Sequence, residues 1–277
     1  MNLTLIGVRK FLFRTATLVS IIIAVALVGL EFVGIGISYR AAVSGSSGGQ
    51  GIDTATLAWF FQFPGAFDAI ISIVFAFVGI IGLIYVATLA GTEWSWGTLK
   101  VAVTRGHSRW QYVLSTFGSI SIILLFGLLI VFVAGVAASF AGSSIAGLSP
   151  GSPLDPAALP GLFAKLFRTW IALASLTSIA YMITMVAKSQ MAGIGTVIGY
   201  FLASIIGPAL LPDFIREIFK YLPFSITGDA IGLGGPPGTL SSTSAIDSSW
   251  ALLITIGWLV GSLAVTCLAV ERTEITG

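Results

Sequence analysis

GTEWSWGTLKVAVTRGHSRWQY, residues 91–112, stands between two long apolar runs and gathers three of the chain's 13 Lys and Arg residues together with its single histidine. A basic interruption of this kind is a loop at a membrane face if the flanking runs cross a bilayer, and a linker if they belong to a soluble core. Composition decides between them. Hydrophobic residues make up 56% and charged residues 9% of the 277 positions, and mean hydropathy is +1.03. A typical soluble domain is about 25% charged.

Crossing roughly 30 Å of hydrocarbon takes about 20 apolar residues in a helix. Working outward from 91–112, such runs occur at about 69–90 and 113–140. Others fall at about 16–38, 169–187, 191–210 and 250–270. Only helices and closed barrels satisfy the backbone in lipid, and continuous apolar runs without two-residue alternation predict helices. The expected fold is an all-α bundle of six spans forming one domain over residues 1–277. Residues 1–15, with Arg9, Lys10 and Arg14, read as a basic interfacial helix rather than a cleaved leader, because the run that follows is long and no small-residue cleavage site closes it.

Loop charge sets the orientation. With the N-terminus inside, the cytoplasmic face holds Arg9, Lys10, Arg14, Lys100, Arg105, Arg109, Lys188 and Arg272, against Arg40, Lys165, Arg168, Arg216 and Lys220 outside. The expectation is a multi-pass protein of the cell membrane with both termini cytoplasmic and 91–112 on the inner side. Outside, PDFIREIFKYLPF, residues 212–224, has Phe214, Ile215, Ile218, Phe219 and Leu222 on one helical face and charges on the other. It predicts a short amphipathic helix in the outer interface, after a fifth span broken at Gly207-Pro208.

Within the opening stretch, Gly91 reads as the end of a span and Glu93 as a residue suited to a helix start. Trp96, Leu99 and Val103 form one apolar stripe, Gly106 fits a C-terminal turn, and Ser108 with Gln111 makes an S-x-x-Q capping pattern. The segment from 92 to 110 therefore predicts a short amphipathic helix at the membrane surface. Aromatic anchors and arginines suit it to being gripped by a partner protein. They also suit it to resting in the headgroup layer on anionic lipid.

The pattern E-x-x-x-G-T-L, followed ten residues on by S-R-W-x-Y, comprises Glu93, Gly97, Thr98, Leu99, Ser108, Arg109, Trp110 and Tyr112. It resembles the loop between spans two and three of ABC-2 type permeases, the membrane subunits of ABC exporters. The six-span plan, the basic start and the broken fifth span resemble that family too. The sequence departs from it at Gly106, where proline is frequent, and at Thr116, where lysine is frequent, which implies a divergent branch. The resemblance implies that 92–110 is a coupling helix docking into a nucleotide-binding subunit. Glu93 would cap or tether that helix, Gly97 and Thr98 would allow close approach, and Leu99 would insert into the partner's cleft beside Trp96. Arg105 and Arg109 would make charged contacts. It further implies a P-loop ATP-binding partner carrying ATP and Mg, a second permease chain of the same or a homologous kind, and export of a hydrophobic or amphipathic substrate.

The chain itself has no G-x-x-x-x-G-K-[ST] loop, and one histidine and one cysteine make no His/Cys metal set or thiol triad. It is expected to be no enzyme by itself, to hold no cofactor or metal, and to bind no nucleic acid. Glu31 is the ionisable residue within a span, which makes it a candidate for the substrate route. Arg40 lies about 13 Å further along the same helix, too far for direct pairing. Gly195 and Gly199 form a G-x-x-x-G pair read as helix packing. The reading from a different class is an ATP-independent membrane protein, either a secondary transporter or a structural subunit of a membrane complex.

Overall fold

The computed structural model describes residues 3–45, 54–95, 98–104, 106, 108–153, 156, 158–210, 220–233 and 246–272. Among these the regular structure is helical, with no strand. The helices are α1 (Leu3–Leu12), α2 (Thr15–Val43), α3 (Thr54–Trp59), α4 (Gly65–Ser95), α5 (Thr98–Thr104), α6 (Arg109–Ala146), α7 (Leu159–Ala187), α8 (Gln190–Leu210), α9 (Pro223–Ile231) and α10 (Ser248–Arg272). Five of them, α2, α4, α6, α7 and α10, are long and apolar enough to cross a membrane.

Between lipid and protein there is little hydrophobic gain, so packing and hydrogen bonds must hold such helices together. Small residues provide the first. A Cβ on Gly36 of α2 would stand 2.6 Å from the Gly142 carbonyl of α6, and one on Gly142 would stand 2.7 Å from the Phe32 carbonyl, so the two backbones touch there. Hydroxyls provide the second. Ser178 and Ser262 Oγ are 2.6 Å apart, and Ser175 Oγ donates to the Thr255 carbonyl at 2.9 Å, joining α7 to α10. Bonds of this kind contribute about 0.6 kcal/mol each on average.

The interior divides along the helix axes. One apolar cluster, with Phe32, Phe61, Ile70, Val74, Leu128 and Leu173, fills the end where α4 begins. A second, with Phe11, Val86, Leu89, Val113, Ile120 and Tyr181, fills the end where α4 finishes. A void of about 50 Å³ lined by Ala24, Gly82, Ile123 and Gly127 lies between α2, α4 and α6. At the first end Lys165 pairs with Asp68 at 2.5 Å, tying α7 to α4.

Several local expectations change. Gly91 does not end the span, because α4 continues to Ser95. Its missing side chain serves close approach instead, since a Cβ there would meet the Gln190 Cβ at 2.5 Å. α8 runs through Gly207-Pro208 to Leu210 without a break. Gly195 and Gly199 are not a packing pair within the chain, because a Cβ on either would meet nothing within 4 Å.

Of the helix expected over 212–224, residues 212–219 lie outside the described ones. Residues 220–222 are turn and bend, so no helix runs through to 224. Leu222 is extended (φ −69°, ψ 147°), as the ring of a following proline demands, and Pro223 opens the new helix α9. The Trp258 Nε1 donates to the Tyr221 carbonyl at 3.1 Å. Trp258 lies about 15 Å along α10 from Ser248. At the other end of α9, Gly232 sits against Ser248. The described helix therefore stands alongside the first half of α10, with Ile226 and Ala230 buried.

Candidate functional site

The site is built where α4 ends. Glu93 sits in the last turn of α4 with only 4% of its side chain exposed. A carboxylate so enclosed must be met by donors, and four converge on it. Lys10 Nζ of α1 lies 2.5 Å from Oε1, and Arg14 Nη2, at the α1–α2 corner, lies 3.9 Å from the same oxygen. Thr98 Oγ1, the first residue of α5, lies 2.7 Å from both Oε2 and the Glu93 main-chain carbonyl. The Tyr112 hydroxyl of α6 donates to Oε2, and also lies 3.0 Å from Thr98 Oγ1. One side chain thus joins α1, α4, α5 and α6.

The surrounding contacts fix the same corner. α1 lies against α6, where Ser119 Oγ donates to the Thr4 carbonyl at 2.9 Å. Its Phe11 is buried while Leu5 and Leu12 are exposed, as in a helix lying in an interface. Thr17 meets the Tyr85 hydroxyl at 2.7 Å, pinning the start of α2 to α4. Lys188, in the left-handed conformation that ends α7, places its ammonium 5.3 Å from the centre of the Trp94 ring. A cavity of about 290 Å³ opens between α1, α5 and α6, lined by Lys10, Glu93, Thr98, Tyr112, Thr116 and Ser119.

The sequence-derived residues separate. Glu93 and Thr98 come together in this cluster. Arg109 does not face outward alone, because its Nη1 donates to the carbonyls of Val270 (3.2 Å) and Glu271 (2.9 Å) at the C-terminus of α10. It closes helix carbonyls that have no partner of their own. Trp96, Gly97 and Arg105 lie outside the described residues, as does the side chain of Leu99. Gly106 has φ +84° and turns the chain between α5 and α6, the role a glycine fills without strain. Ser108 is the N-cap residue of α6 by its backbone, but its hydroxyl is buried without a partner, so the expected capping box does not form.

Glu31 points away from the bundle on the exposed face of α2. Sequence reasoning missed Lys10, Arg14 and Tyr112 as partners of Glu93. The basic start and the S-R-W-x-Y tyrosine carried the signal, but nothing in the sequence aimed them at one carboxylate.

Among the described residues no group of three or more His, Cys, Asp or Glu side chains could hold a metal ion. A short surface helix is tied through one buried carboxylate to three other helices.

These features define a multi-pass α-helical membrane protein with a charged cluster at one end of its bundle. The chain belongs to the family described as "Protein of unknown function (DUF2705)", whose model matches residues 51–276. No curated protein matches it.

Proposed function

We propose that this chain is the permease subunit of an ABC-2 type exporter in the cell membrane. α5 is the coupling helix that docks on a separate P-loop subunit, and ATP and Mg belong to that partner. The observation that carries this reading is the Glu93 cluster, because a seven-residue helix is too short to hold itself in place. Anchored through Thr98 to Glu93, α5 can pass a push to α1, α4 and α6 together. A bistable membrane domain driven from a distant nucleotide site needs such a link.

The finer architecture follows from the same reading. α8, 21 residues long and without a charged side chain, is the fifth span in chain order and brings the five long apolar helices to six, and both termini lie in the cytoplasm. Two such chains, identical or homologous, enclose a path for a hydrophobic or amphipathic substrate. Glu31, on the outward face of α2, would lie on that path. Trp96, Leu99 and Arg105 would contact the ATPase subunit, with Gly97 allowing its close approach.

The test is purification of the intact chain from its own membrane in mild detergent, followed by identification of co-purifying proteins and assay of ATPase activity. A P-loop subunit should co-purify with the wild type and be lost with Leu99→Asp. A chain that purifies alone, or with partners that bind no nucleotide, would favour the ATP-independent reading.

A further inference from the structure

A cleft of about 750 Å³ lies between α7, α8, α9 and α10, well within the range of about 300–1,000 Å³ that takes a small ligand. Met182 and Ile183 form one wall, and Trp258 and Val265 another. Its two hydroxyls are already engaged. Ser262 Oγ is bonded to Ser178 Oγ and the Leu259 carbonyl, and Thr196 Oγ1 to the Ala192 carbonyl. Among the described residues, the side chains lining the cleft thus offer an occupant contact surface and no free polar partner.

Two of its lining residues are glycines, Gly199 and Gly261, and a Cβ on either would meet nothing within 4 Å. Gly36 and Gly142 admit a neighbouring backbone, whereas Gly29, Gly127 and Gly257, like Gly199 and Gly261, border open space. In the cleft, Gly199 and Gly261 leave that space wider. The cleft is also short. From Trp258 to Val265 it runs about 10 Å along α10, a third of the roughly 30 Å hydrocarbon layer. Leu222 and Pro223 line it where the chain turns into α9, at the level of Trp258. A spanning helix of another chain would collide with that turn, whereas a flexible chain of methylenes would end beneath it.

We propose that this cleft holds one lipid acyl chain, inserted from the half of the membrane that carries the Glu93 cluster. The site stands independently of any ATPase; only its assignment to the cytoplasmic leaflet rests on the topology proposed above.

The test uses the full chain in phosphatidylcholine vesicles doped with phosphatidylcholine whose acyl chain carries a diazirine, irradiated and mapped by mass spectrometry. Adducts should concentrate on the segments holding Met182 and Val265, about tenfold over the exposed face of α6 at Leu129 and Val133, the ratio a preference of about 1.4 kcal/mol gives. Gly261→Leu and Gly199→Phe, each placing a side chain in the cleft from a position where a Cβ meets nothing within 4 Å, should each bring that ratio to one. Because the two glycines lie on different helices, either variant decides the matter if the other fails to elute as a single folded species. Uniform labelling, or labelling that survives the filled cleft, overturns the proposal. So does an efficient disulfide between two copies of Gly261→Cys in a Cys267→Ala background, which would make the occupant a second copy's helix. The vesicles contain no ATPase, so neither result depends on co-purification of a P-loop subunit.

Discussion

Replacing Glu93 by alanine removes the acceptor that α1, α5 and α6 share, and the size of the effect follows from what each donor loses. Lys10 keeps 41% of its side chain in solvent and rehydrates, so its share is that of an exposed pair, about 0.5 kcal/mol. Thr98 keeps its 2.7 Å bond to the Glu93 main-chain carbonyl, and Tyr112 keeps Thr98 Oγ1 at 3.0 Å. Each still loses its bond to a buried charge, about 1.5 kcal/mol. For α5, tied to the carboxylate by Thr98, that loss of about 1.5 kcal/mol corresponds to roughly 13-fold in a local opening equilibrium. Hydrogen–deuterium exchange of the full chain in lipid nanodiscs reads this directly: peptides covering 98–104 should exchange about 13-fold faster in Glu93→Ala. Glu93→Gln, which keeps one oxygen and loses the charge, should fall between. Exchange at 98–104 unchanged in Glu93→Ala would refute the idea that this carboxylate anchors the helix.

Gly142→Val should push α2 from α6, because its Cβ falls on the Phe32 carbonyl. Overpacking of this kind costs about 1–3 kcal/mol, and a detergent unfolding midpoint equal to wild type would contradict the contact. Arg109→Ala should expose the C-terminal carbonyls of α10, a loss of about 0.5 kcal/mol. Exchange should rise at residues 266–272 and stay constant at 98–104, and the reverse pattern would assign Arg109 to α5. In a Cys267→Ala background, Ser44→Cys should react with an impermeant maleimide from outside intact cells and Thr104→Cys only after permeabilisation. The opposite pattern would invert the topology.

The long helices were legible in the sequence because lipid leaves the backbone so few choices. An apolar run of about 20 residues without alternation has one stable outcome, and five such helices stand where the runs fall. What the sequence could not supply was the meaning of its punctuation. Gly91, Gly142 and Gly199 look alike in a row of letters. The first admits the Gln190 side chain, the second admits a neighbouring backbone, and the third borders open space. Each role depends on a residue distant in the chain. Pro223 was visible, and its effect on Leu222 outweighs the amphipathic pattern among the described residues of that stretch.

The Glu93 cluster was half legible for the same reason. Glu93, Thr98 and Tyr112 lie within one short stretch, whereas Lys10 and Arg14 arrive from the far end of the chain to complete it. A lysine beside a bilayer could as well meet a lipid phosphate. What draws this one inward is a carboxylate that α4, by continuing past Gly91, carries beneath α1 and shields from water. The charge that ties the surface helix down is therefore a product of helix length. A chain in which α4 stopped at Gly91 would leave Glu93 solvated, Lys10 on lipid, and α5 with no anchor to the bundle.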